Sequence, residues 1–170
     1  GAVPVLAVGG IMDGRGIAAA LALGADGVWM GTRFLMASEC AAHPLWQERL
    51  IAASETDTHL GVVFNEGWEN SPLRSLRNEV VLAWEAAGSP PHGSRPGEGD
   101  IIGRNGAGQP IPRYHNDGPT LGATGEIGAM CLYAGQGVGL ASRVQPAAEI
   151  VGELNDELRA AVARVRLAVG

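Results

Sequence analysis

Two short apolar runs dominate the start of this chain, and each ends in glycine: Val3 to Val8 runs into Gly9-Gly10, and Gly27 to Met30 runs into Gly31-Thr32. A continuous apolar run, rather than an alternating one, predicts a strand buried on both faces. Between the runs, Asp13 can cap a helix through "GRGIAAALALG", with Gly24 as its C-terminal stop. Ile17, Ala20 and Leu21 fall on one face of that helix. Strand, helix and strand in so short a span make a βαβ unit, so the two strands should be parallel neighbours.

Downstream, Thr32 to Ser38 and Pro44 to Ser54 read as helices, the second with proline in its first turn. "THLGVVF" is extended or irregular. Leu73, Leu76, Val80 and Trp84 recur at helical spacing and predict one helix over Pro72 to Ala87. Gly88 to Pro119 is rich in Gly, Pro and charge and reads as a long loop, with a short strand at Ile101-Ile102. Leu121 to Tyr133 reads as helical, "AGQGVG" breaks it, and Pro146 to Val169 reads as a long amphipathic helix.

One βαβ unit followed mainly by helices leaves a parallel strand pair without neighbours to bury it. The simplest expectation is an α/β chain forming the C-terminal end of a larger parallel-stranded fold, with residues 1–40 as its last two βα units and 41–170 as a mainly helical region with a loop at 88–119.

Of the 170 residues, 46% are apolar and 18% charged, which suits a globular domain rather than a disordered one. The net charge is −6 and no basic stripe is present, which argues against nucleic acid as a partner. All 12 basic residues are arginine, so the chain supplies neither a Schiff-base lysine nor a P-loop lysine. Cys40 and Cys131 have neither metal spacing nor a disulfide framework, and a reducing, cytoplasmic setting is the default expectation. No apolar run is long enough to span a membrane.

In parallel α/β folds, ligands sit at the carboxyl ends of the strands. Glycine there lets an anion approach backbone N–H groups, helped by the dipole of a following helix. Thr32 adds a hydroxyl donor. The loops after strands seven and eight of a (β/α)8 barrel form a standard phosphate site. Gly9, Gly10, Gly31 and Thr32 are therefore the candidate phosphate-binding residues; tight strand-to-helix turns would use the same glycines.

Other chemistry-bearing residues have plainer readings. His43, His59, His92 and His115 lie in separate segments without metal-ligand spacing, which favours surface or capping roles and no metal site. Glu39 and His43, one helical turn apart, read as a structural pair. Cys131 reads as core on an apolar helix face, and Trp68 and Trp84 as packing residues. "AGQG" at Ala134 to Gly137 is either a helix stop or a glycine turn that places Gln136 near a ligand.

"PVLAVGGIMDGRGIAAALALGADGVWMGTRFLMASE" resembles the seventh and eighth βα units of the nitronate monooxygenase family. "GWENSPLRSLRNEVVLAWE" and "AMCLYAGQGVGL" resemble its following segments, so the likeness covers nearly the whole chain. The resemblance implies a TIM barrel that binds FMN, with the phosphate held at Gly9, Gly10, Gly31 and Thr32. It implies oxidation of alkyl nitronates by O2 to a carbonyl compound and nitrite. Flavin-type enoyl-acyl-carrier-protein reductases share the phosphate motifs, and a non-catalytic phosphate-binding barrel is a further alternative. The family's catalytic histidine precedes these units, and no histidine here matches it. The chain alone is thus expected to hold the phosphate end of the site without the reaction centre, and to be inactive.

Overall fold

The computed structural model describes residues 3–68 and 70–169. β1 (Leu6–Val8) and β2 (Gly27–Trp29) pair in parallel with Leu6 opposite Gly27, joined by α1 (Gly14–Ala22). The Asp13 carboxylate accepts from the Gly16 N–H at 2.9 Å, as an N-cap should, and Gly24 follows the helix at φ 98°. The expected βαβ unit is present. Its strands, however, are not buried on both faces: Val3, Val5, Leu6, Val8 and Trp29 are all exposed, because no other described strand pairs with them.

α2 (Thr32–Leu35) is shorter than its sequence suggests, and α3 (Pro44–Ala52) opens on proline. β3 (Thr58–Gly61) pairs antiparallel with β4 (Leu73–Leu76), so the helix expected over Pro72 to Ala87 is two elements. Only α4 (Glu79–Ala86) is helical. Asn78 starts it, accepting from the Val81 N–H while its amide donates to the Gly128 and Met130 carbonyls. That cap ends the strand and fixes the helix start.

The 88–119 segment carries more order than a loop. β5 (Ile101–Arg104) lies between β6 (Pro110–Pro112) and β7 (Thr124–Gly125) in an antiparallel sheet. The helix expected over Leu121 to Tyr133 is absent: β7, a 3-10 turn at Ile127–Ala129 and extended chain replace it. Gly122 and Gly125 at φ 81° and 105° interrupt any helix there. Five strands beside its helices make residues 41–170 mixed rather than mainly helical. α5 (Ala147–Val169) is the long helix expected.

The largest core packs Val63, Phe64, Val80, Val81, Tyr114, Met130 and Cys131 between the β5 sheet and α4. A second, around Met36, Trp46, Leu50, Leu132 and Val138, joins α3 to the chain after the 3-10 turn. A third seats Ile150 and Leu154 of α5 on Ala37. Among the described residues, no helix is long and apolar enough to cross a membrane.

Candidate functional site

Gly9 and Gly10 follow β1 at φ 98° and 70°, a backbone that side chains rarely adopt. Both are exposed, and a Cβ at Gly9, Gly10 or Gly31 would meet nothing within 4 Å. The two strand ends therefore border open space. Thr32, at the first turn of α2, accepts the Gly135 N–H at 2.8 Å through Oγ1. Its own hydroxyl proton stays available to donate.

That bond brings in a third glycine loop, from more than a hundred residues downstream. A Cβ at Gly135 would stand 3.3 Å from Thr32 Oγ1 and 3.7 Å from the Gly10 nitrogen. One at Gly137 would stand 2.5 Å from the Gly10 carbonyl oxygen. Glycine is required there because two backbones touch. "AGQG" does not stop a helix, because extended chain precedes it; it forms a turn in which Gln136 is exposed between two residues that abut Gly10 and Thr32. Gln136 lies in a 3-10 turn, Gln136–Leu140, which also ends the preceding extended chain.

The helix dipole after Gly9-Gly10 is not free to serve a ligand. Glu157 of α5 accepts the Gly14 N–H at 2.8 Å, and Asp13 accepts that of Gly16. Two carboxylates thus already occupy the N-terminus of α1, so the expected contribution of that helix is withdrawn. α2 has no side-chain cap.

α5 is fastened to α2 as well. Arg33, 7% exposed, donates to Glu153 at 2.7 Å, and Gln145 donates to the same oxygen at 2.8 Å. Arg143 pairs with the other Glu153 oxygen. The Gln145 N–H donates to the Met36 carbonyl, and its own carbonyl accepts from Ser38. Glu39 accepts the Ala147 N–H at the start of α5; it does not pair with His43, which instead caps α3 by accepting from Leu45.

These carboxylates set an acid limit on the docking of α5. The Ala147 N–H holds Glu39 below the ordinary value of 4.5, and the Gln145 amide, aided by Arg143 and Arg33, does the same for Glu153. Because the folded values are depressed, their stabilisation is complete above 4.5 and is lost as pH falls through the folded values. The urea midpoint should fall as pH is lowered below 4.5. Glu39→Gln with Glu153→Gln should lessen that fall; an identical pH profile in the double variant would count against it.

Other candidates resolve simply. Cys131 is fully buried, and burial pushes its thiol up to about 12. It is core as expected, though in extended chain rather than on a helix. Trp84 packs on the main core and donates to the Pro90 carbonyl. Trp68 does not pack inside: it is 68% exposed, beside a cleft of about 560 Å³ that Tyr133, His115 and Asp117 also line. His59 lies 3.5 Å from Glu85, His92 lies 3.6 Å from Glu98, and His115 accepts the Asp117 N–H.

The architecture is that of an α/β protein with a parallel βαβ pair and a glycine-lined rim completed from the C-terminal region. The nitronate monooxygenase family model matches residues 1–157, and the chain belongs to that family. It is 35% identical to a nitronate monooxygenase of Metarhizium robertsii over 96% of this chain and 43% of that protein. It is 37% identical to a nitronate monooxygenase of Pseudomonas aeruginosa over 94% and 40%. Among solved structures, FabK from Thermotoga maritima superposes with a TM-score of 0.67 at 25% identity, covering 99% of this chain and 48% of that one. A nitroalkane oxidase from Streptomyces ansochromogenes gives 0.64 at 30% identity, covering 96% and 42%. The chain spans less than half the length of these proteins.

Proposed function

We propose that the chain supplies the last two βα units and the C-terminal region of a flavin-binding (β/α)8 barrel. The whole enzyme would oxidise alkyl nitronates with O2 to a carbonyl compound and nitrite. The observation that carries this reading, within the family, is the meeting of three glycine loops at one open rim. The residues fit an FMN phosphate: Gly9, Gly10 and Gly31 leave room above the backbone, and Thr32 keeps a hydroxyl proton to donate. Gln136 is exposed in the loop that lies against Gly10 and Thr32. The exposed faces of β1 and β2 are those that neighbouring barrel strands and helices would cover.

Bound FMN would supply the redox chemistry, and this chain's residues would anchor and orient its phosphate end. The likeness to the family would put the proton-accepting group in the preceding part of the barrel, and none of the four histidines here is assigned that role. The 170 residues alone should neither retain flavin nor turn over nitronate.

The full-length protein should be yellow when purified and consume O2 with an alkyl nitronate in the absence of NAD(P)H. Silence until NAD(P)H and an enoyl thioester are added would move the assignment to an enoyl reductase and leave the phosphate site standing. Gly31→Leu should fill the space above the second strand end. Losing one charge-assisted hydrogen bond costs roughly 1.5–3 kcal/mol, which weakens FMN binding about ten- to a hundredfold. Unchanged flavin affinity in that variant would place the phosphate elsewhere.

A further inference from the structure

Glu153 and Glu157 stand one turn apart on α5 and share a face. Each holds the helix that follows one of the glycine-ended strands. Glu157 takes the Gly14 N–H of α1, and Glu153 takes the Arg33 guanidinium of α2, next to Thr32. Arg33 and Gln145 are both buried, at 7% and 4% exposure, and both donate to Glu153. These bonds border a cavity of about 510 Å³ between α1, α5 and the chain near Leu140 and Ser142. Ile150 and Leu154 and the close approach of α5 to Gly14 seat the helix by packing, and the polar bonds to Glu153 and Glu157 add fixed points at the cavity's edge.

We propose that α5 is a clasp for the phosphate site, with Glu153 and Glu157 as positioning residues that set the spacing of its two βα loops. The inference rests on the reading of those loops as the FMN phosphate site. With the clasp made, the loops are held at the separation that grips the phosphate; with it open, they drift apart. Coupling between two such events is reciprocal, so phosphate binding should also tighten the docking of α5.

Two effects of the same substitution have opposite signs. Neutralising a carboxylate near an anion should strengthen anion binding by simple electrostatics. Removing a clasp should weaken it. In the full-length protein, Glu153→Gln and Glu157→Gln should each weaken FMN binding about fivefold to tenfold, within the range usual for coupled sites. Asp156→Asn removes an equal charge from an exposed position of the same helix and should leave affinity unchanged. Amide exchange over residues 150–161 should slow on adding FMN to the wild type and respond less in a variant carrying both Glu153→Gln and Glu157→Gln.

FMN affinity that is unchanged or higher in both variants would overturn the clasp, as would wild-type exchange in α5 that ignores FMN. Should one variant fail to fold, the other and the wild-type exchange still decide. A wild-type protein that takes up no FMN would instead overturn the phosphate reading, and the wild type alone tells that failure apart.

Discussion

Gly14→Ala should destabilise the protein by about 2–4 kcal/mol, the range of strained core substitutions and lost core burial. Gly14 is the first residue of α1, and an added Cβ would stand 2.2 Å from the Leu158 backbone nitrogen and 2.5 Å from the Glu157 carbonyl carbon. Those are backbone atoms of another helix, so no side-chain rotation relieves the clash. α5 would have to move away, uncovering Ile150 and Leu154, and the Gly14 N–H would lose Glu157. The sign discriminates: in a free helix the same change gains up to about 1 kcal/mol from propensity. Chemical unfolding of the full-length variant measures it, and a rise in stability would show that α5 does not sit this close.

Arg95→Ala should cost about 3–5 kcal/mol, as expected when one partner of a buried ion pair is removed. Arg95 is 5% exposed and lies inside the 88–119 segment. Its guanidinium donates to the Val63 carbonyl at 2.9 Å, to Asn65 Oδ1 at 2.7 Å and to Glu98, and stacks 4.2 Å from the Tyr114 ring centroid. Burial pushes the Glu98 carboxyl up, yet the bonds and charge of Arg95 outweigh that and hold it below 4.5. Alanine would strand two acceptors and leave Glu98 with the backbone N–H of residue 95 and His92 beside it. Lysine should restore only part of the loss, because a single ammonium cannot serve the same three acceptors in one plane. A loss below about 1 kcal/mol in Arg95→Ala, the range of exposed pairs, would mean that the knot is solvated.

The elements legible in the sequence are those whose signals are local. The Asp13 cap, the Gly24 stop and the parallel strands fit within thirty residues, and α5 repeats its pattern over 23. The misread segments share a different cause. Leu73, Leu76, Val80 and Trp84 keep helical spacing across two elements, because β4 and α4 each turn part of that set inward. Asn78, a favoured N-cap before Glu79, was the available signal. Over Leu121 to Tyr133 nearly every apolar residue is buried from some side, so periodicity carries no information there. In the candidate site, the two strand ends were visible as Gly9-Gly10 and Gly31-Thr32. The third loop could be narrowed only to alternatives, since its contact with Gly10 and Thr32 is tertiary. The contacts of Glu153 and Glu157 had no sequence signal at all: acidic residues on a long helix look the same whether they face water or another helix.

The bonds from α5 join residues 120 and 143 positions apart. Ribosomes add roughly 5–20 residues per second, so the glycine-ended loops emerge on the order of ten seconds before the helix that fastens them. During that interval the nascent rim has its strands and its Asp13 cap but lacks its C-terminal tie. Closure over so long a separation also slows folding. On the proposed reading of this rim, retention of a small molecule should therefore be a late event in biogenesis, completed only when α5 has left the exit tunnel.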